Sequence, residues 1–252
     1  MLTADAEAKA LAARQMAADW RAGTLTWPGT RIDVPSRPAR PARPELVAPR
    51  HTKRRGPGSL AGRISLLHAL AHIELNAIDL ACDLVARFQV DGTHPLPTSF
   101  ADDWVKVADD EGKHFLMLNA RLAELGAAYG DLPAHDGLWQ AAETTAHDFA
   151  ARLAIVPLVH EARGLDVTPQ TVAALERAGD TASAGILAVI YRDEIGHVAA
   201  GVRWFEAAAT HRDVAAKHLF EACVARYHGG ELKGPFNEPA RAEAGMAALL
   251  GR

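Results

Sequence analysis

Two short patterns in this 252-residue chain place an acid and a histidine at helical spacing: Asp110-Glu111-Gly112-Lys113-His114 and, 83 positions on, Asp193-Glu194-Ile195-Gly196-His197. Residues three apart on a helix are surface neighbours. Glu-x-x-His can therefore offer one oxygen and one nitrogen to a single cation. Each pattern also follows a probable helix whose apolar stripe carries one glutamate, Glu74 before the first and Glu161 before the second. The order is Glu, Glu-x-x-His, Glu, Glu-x-x-His, which is the ligand order of a carboxylate-bridged two-metal site inside a four-helix bundle.

The helices that must carry these residues read as follows. At 3.6 residues per turn, Leu67, Ala71, Glu74, Ile78, Ala81 and Val85 share a stripe on a helix predicted over 62–89. Trp104, Val107, Glu111, His114, Leu118 and Leu122 share one on a helix over 99–125, with Ser99 as its cap. Ala150, Leu153, Pro157 and Glu161 align on a helix over 137–163 that Gly164 should end. Leu187, Ile190, Glu194, His197, Gly201 and Trp204 align over 181–209. Four glutamates and two histidines thus lie on core faces. Burying an ionised carboxylate without a partner costs several kcal/mol. No Lys or Arg falls on these stripes, and two divalent cations would supply the four charges required.

Around this set, a metal-bound histidine normally donates its other ring N–H to an acceptor. Asp110 and Asp193 stand beside the ligand glutamates and are expected to pair crosswise, Asp110 with His197 and Asp193 with His114. His72, two residues before Glu74, is a further outer-shell candidate. His68, His72 and His160 could each equally be structural histidines. Tyr191 lies one turn before Glu194 and is the one candidate donor of a proton or electron, with a core role as the alternative. Pro157 must disturb its helix beside Glu161. Gly201 leaves room either for a substrate or for a closely packed helix.

Shorter helices are predicted at 4–22 (capped by Thr3), 168–178, 211–228 and 239–250. The fold class is all-α: a four-helix bundle within 61–228, a helix plus proline-rich basic arm over 1–60, and a C-terminal tail over 229–252 packing on the bundle. Half of the fourteen prolines lie between 23 and 60. Such a stretch is extended and builds no core of its own. Net charge is −4, but residues 1–60 hold eleven Lys/Arg against five acids, +6, which leaves −10 for the rest. The arm is expected to wrap onto its own acidic bundle, with an anionic partner such as RNA as the alternative. No apolar run is long enough to span a membrane, no secretory signal is visible, and Cys82 and Cys223 have no metal-type spacing. A cytoplasmic protein is expected. Its oligomeric state is open, a homodimer included.

With these residues in hand, the chain resembles the ferritin-like superfamily of di-iron carboxylate proteins, which includes bacterioferritins, rubrerythrins, ribonucleotide reductase small subunits, multicomponent monooxygenases and a tRNA hydroxylase. It is more closely similar to an uncharacterised bacterial ferritin-like family, through Leu67-His-Ala-Leu-Ala-His-Ile-Glu74, Arg192-Asp-Glu-Ile-Gly-His197, the basic arm and Lys233-Gly-Pro-Phe-Asn237. The resemblance implies that Glu74, Glu111, His114, Glu161, Glu194 and His197 bind two metal ions, Fe first, with Mn or mixed Fe/Mn as alternatives. It implies an O2-dependent oxidoreductase or hydroxylase of unknown substrate, fed by an external electron donor. The tRNA hydroxylase makes RNA one candidate substrate. A non-catalytic or ferroxidase role in iron handling, sensing or peroxide scavenging is the competing reading, and a scaffold with a structural metal site is the third. The chain lacks the Cys-x-x-Cys pairs of a rubrerythrin, and its arm and tail fit a ferritin cage poorly.

Overall fold

A computed structural model describes residues 1–27, 32–52 and 56–250. Four basic residues of the arm, Arg31, Lys53, Arg54 and Arg55, lie outside the described residues.

The chain folds as an all-α bundle around two long helices, α2 (Leu60–Arg87) and α3 (Thr98–Glu124), which pack along each other. They are joined by a two-residue-per-strand hairpin, β1 (Val90–Asp91) against β2 (His94–Pro95). α1 (Ala6–Arg21) lies on α3, and Asp5 rather than Thr3 caps it by accepting from the Ala8 N–H at 2.8 Å. Gly112 permits that approach: a Cβ there would stand 2.9 Å from the Ala10 carbonyl.

The expected helix over 137–163 is two pieces. α4 (Gly137–Thr144) stops at a turn over 145–148, and Asp148 caps α5 (Phe149–Ile155) through the Ala151 N–H. Buried Arg152 holds this break, donating to the Ala142 carbonyl that ends α4 and to Thr145 Oγ1. From α5 the chain passes through a π turn (Val156–Glu161) straight into α6 (Ala162–Arg177). Gly164 therefore ends nothing, and Pro169 lies inside α6 rather than opening a new helix. Pro169 cannot donate to the Leu165 carbonyl, four residues back. Asn237 of the tail supplies the missing donor, its Nδ2 reaching that oxygen at 3.0 Å.

α7 (Thr181–His211) packs against α6 and α3. α8 (Ala216–Cys223) runs into a second π turn (Val224–His228), and the tail forms two short helices, α9 (Glu238–Glu243) and α10 (Ala247–Leu250), instead of one. The main core lies between α3, α5, the first π turn, α6, α7 and α8, with Phe100, Trp104, Phe149 and Phe205 among its largest side chains. A second apolar cluster joins α1, α2, α3 and α7 through Ala10, Leu75, Phe115 and Leu187.

The described part of the arm is a strap across the bundle. Arg37 pairs with Asp136 and Glu143, Arg40 with Asp79, and the chain at 45–47 bonds to Ala134 as an isolated bridge. Among the described residues no helix is long and apolar enough to cross a membrane.

Candidate metal centre

α2, α3, the π turn and α7 bring the six predicted residues to one buried place in the bundle. Glu111 and His114 are fully buried on α3, and Glu74 and His197 nearly so on α2 and α7. His114 Nδ1 lies 3.2 Å from Glu74 Oε2 and 3.4 Å from Glu111 Oε2. His197 Nδ1 lies 3.1 Å from Glu111 Oε1 and 3.6 Å from Glu194 Oε2. Glu111 thus stands between the two imidazoles. Glu161 joins from the π turn, close enough for its charge to act on Glu194, Glu111 and His197. Glu74, Glu111, His114 and Glu194 each bring one ligand atom within 4.8 Å of the others, a buried group that could hold a metal ion.

The other ring nitrogens face outward and cross between halves. His114 Nε2 lies 2.9 Å from Asp193 Oδ2 on α7, and His197 Nε2 lies 3.3 Å from Asp110 Oδ2 on α3. Both imidazoles so turn Nδ1 toward the glutamates. A lysine that the stripe analysis passed over ties the aspartates together: Lys113 Nζ is 2.9 Å from Asp110 Oδ1 and 2.7 Å from Asp193 Oδ2. Lys106 adds a second cation on Asp110 at 2.6 Å. The signal was present, since Lys106-Asp110 and Asp110-Lys113 have the spacing of helical ion pairs.

The electrostatics are those of a crowded acid cluster. Burial and the neighbouring Glu111 push Glu74 well above the usual carboxylate range, while Glu111, despite its own burial, is held low by the Glu74 hydrogen bond and the His197 charge. Burial also raises Glu161 and Glu194, each further raised by Glu111. Burial alone would lower His114, but its bonds to Asp193, Glu111 and Glu74 lift it to about 11, and His197 is raised in the same way by Glu111 and Asp110. Asp193 is drawn down to about 2, first by the His114 hydrogen bond. Without a metal, then, protons take the place of cations, on three of the glutamates and on both imidazoles.

Four of its ligand atoms stay unsatisfied. Glu111 Oε1, Glu161 Oε2, Glu194 Oε2 and His197 Nδ1 are buried with no hydrogen-bond partner. His197 Nδ1 and Glu111 Oε1 are 3.1 Å apart yet not aligned as donor and acceptor. A buried ligand atom with no partner at all, as at Glu161 Oε2, costs about 1–3 kcal/mol. A mixed carboxylate–imidazole set suits Fe, Mn or Zn. The residues fit a metal.

The fold does bury bases, off these stripes, and they serve other carboxylates. Lys9 and Arg40 pair with Asp79, Arg152 with Asp83, and Arg241 with Asp166. α2 is buried on two faces, one carrying Glu74 and one carrying Asp79 and Asp83, and the second lies off the apolar stripe that holds Glu74.

Three outer candidates stand elsewhere. His72 is not an outer-shell group of the centre: its Nδ1 bonds Tyr129 Oη at 2.8 Å and its Nε2 the His135 carbonyl at 3.0 Å. Burial lowers it to about 4, so it is a neutral strut for the loop after α3. His68 does similar work, its Nε2 accepting from the Gly130 N–H at 2.9 Å. Among the described residues the Tyr191 hydroxyl is bonded by Asn237 Nδ2, at 3.0 Å, and not by the cluster. Gly201 is a packing glycine. A Cβ there would stand 2.8 Å from Pro157, which occupies the space in question.

An uncharacterised protein of Haemophilus influenzae is 42% identical to the chain over 206 residues, covering 81% of this chain and 72% of that protein. No solved structure matches. A family described as "Protein of unknown function (DUF455)" matches residues 2–249, and the chain belongs to that family.

Proposed function

We propose that this chain is a ferritin-like di-metal carboxylate protein, with iron as the working metal, that uses O2 to oxidise an organic substrate. The observation that carries the reading is the set of four buried ligand atoms without hydrogen bonds, from Glu111, Glu161, Glu194 and His197, at the meeting point of four helices. Together with Glu74 and His114 they would form the complete ligand set. When bound, a reduced di-iron pair supplies the electrons and the open coordination that O2 chemistry needs.

The chain's own residues supply geometry. Glu111, between both imidazoles, is the natural shared carboxylate. Asp193 and Asp110 accept the Nε2–H of His114 and His197, which fixes the tautomer and aims each Nδ1 inward. Lys113 offsets the charge of both aspartates at once. The π turn lets Glu161 enter where regular helix would point another residue, and π turns recur at functional sites. Electrons for turnover come from a separate donor protein.

The test is metal analysis of protein purified from iron-replete cells, followed by O2 uptake after anaerobic loading with Fe(II). Two iron ions per chain and uptake faster than with free Fe(II) support the reading. Zinc alone, with no O2 uptake after iron loading, overturns it. Uptake that yields only ferric iron, whatever organic acceptors are offered, favours iron handling instead.

A further inference from the structure

The outer side of the π turn forms one wall of a cavity of about 500 Å³ that the metal centre does not use. The tail supplies another wall through His228–Lys233 and Phe236, and Lys233 is exposed. Leu158, Leu232 and Phe236 give apolar surface, while His160, Arg163 and Lys233 give polar ends. The His160 ring packs edge-on against His228, centroids 6.0 Å apart, and makes no hydrogen bond among the described residues. His160 is the residue before Glu161. One turn of chain therefore faces the cavity with one side chain and the acid cluster with the next.

The charge around the cavity selects a ligand class. Arg241 is neutralised by Asp166, with Nε to Oδ1 at 2.9 Å, and its guanidinium lies over the Phe236 ring. Arg163 reaches the same aspartate from 3.3 Å and otherwise donates to the Lys233 and Pro235 carbonyls. Neither Lys233 nor Glu231 has an ion-pair partner among the described residues. Counting Arg163, Arg241 and Lys233 against Asp166 and Glu231 leaves one positive charge beside the apolar surface of Leu158, Leu232 and Phe236.

We propose that this cavity binds a small organic monoanion, a carboxylate with an apolar body, its carboxylate at Lys233 and Arg163 and its body against Leu158 and Phe236. Naming that carboxylate as the substrate rests on the di-metal oxidase reading above. The binding itself does not, because every residue involved lies outside the cluster. The π turn gives the shortest route between them, since movement of His160 is carried directly to Glu161.

The experiment is titration of hexanoate into the metal-free protein, followed by NMR and calorimetry, with hexanol and inorganic phosphate as comparison probes. Saturable hexanoate binding that perturbs His160 and Phe236 is expected, with hexanol and phosphate both much weaker. Lys233→Ala removes an exposed side chain without touching the core, and it should weaken hexanoate about tenfold, the size of one charge-assisted contact. Lys233→Glu should abolish binding. No saturable binding, an unchanged affinity in Lys233→Glu, or phosphate binding as tightly as hexanoate would each overturn the inference. A second arm adds hexanoate to protein loaded with Co(II). A change in the visible spectrum supports the substrate assignment, and an unchanged spectrum in protein that binds hexanoate overturns that assignment alone. Failure to load any metal, with hexanoate binding intact, would fall on the di-metal reading and leave the cavity standing.

Discussion

Glu74 rises from an uninterrupted helix and Glu161 from a π turn beside Pro157, and the two halves of the candidate centre differ accordingly. In the first half, Glu74, Glu111 and His114 bond to one another, and Glu74 is almost wholly buried. In the second, Glu161 Oε2, Glu194 Oε2 and His197 Nδ1 all lack a hydrogen bond. The residue types are the same and the local solutions are not. Both halves take up protons without a metal, but the first also closes hydrogen bonds among its own groups. In the second, His197 Nδ1 lies beside Glu111 and Glu194 without an aligned hydrogen bond, and surrounding packing holds the groups there. Pro157 against Gly201 is part of that packing. The difference suggests a half-site that is preformed and a half-site that waits for a cation.

The most severe disruption should come from Glu111→Ala, because Glu111 is the one carboxylate beside both histidines. Both ions should be lost, as read by metal analysis, with Glu111→Gln as the control for folding. Retention of one ion would mean that Glu111 serves one half only. Glu161→Ala should remove one ion and keep the other. It should also stabilise the metal-free protein by about 1–2 kcal/mol, since it deletes a buried acceptor that nothing satisfies. Glu74→Ala should not stabilise the metal-free protein, as it leaves His114 and Glu111 short of a partner. Equal behaviour of the two glutamates in thermal unfolding would erase the distinction between the halves.

Both halves were legible in the sequence to very different degrees. The stripes on α2, α3 and α7 are regular, so 3.6-residue periodicity located Glu74, Glu111, His114, Glu194 and His197 on core faces. The third helix was misjudged at each end. Its start is set by the Arg152 side chain gripping the end of α4, and its length by Asn237, some seventy residues away, replacing the donor that Pro169 lacks. Local propensity contains neither contact. Pro157 did announce an irregularity, but only the fold shows it as a π turn that carries Glu161. Asp79 and Asp83 escaped because a helix buried on two faces has no single stripe. His72 was misplaced because proximity in sequence to Glu74 says nothing about the loop at Tyr129 and His135 that its ring meets.

The halves should also separate by pH. His114 is raised from its ordinary 6.5 to about 11, so its contribution is whole below 6.5 and is lost as pH climbs toward 11. Glu74, Glu161 and Glu194 are raised too, and their protonated forms are likewise lost on going alkaline. Asp193, lowered to about 2, acts oppositely and loses its contribution only as pH falls below its ordinary 3.8. The metal-free protein should therefore melt progressively lower from about pH 4.5, where the unfolded glutamates ionise, and again above about pH 6.5 as the histidine contribution is lost. Cations replace the protons, so the gain in Tm on adding Mn(II) should grow between about pH 6 and about pH 8. In Glu161→Ala the gain should be smaller and its slope shallower. A gain independent of pH would mean that the ligands bind metal without releasing protons.

The smallest effect tests what joins the halves rather than what divides them. Lys113 is one-third exposed and lies within 2.9 Å of both outer aspartates, whereas Lys106 touches Asp110 alone. Partly exposed ion pairs are worth about 0.2–1 kcal/mol, so Lys113→Met should weaken metal binding only a few-fold. The loss should fall on both ions alike, because Asp193 positions His114 and Asp110 positions His197. Lys106→Met should weaken only the ion on the His197 side. Stepwise metal titration of the two variants distinguishes these outcomes. If Lys113→Met weakens one ion and spares the other, the crosswise aspartates act independently, and the asymmetry between the halves extends to their outer supports.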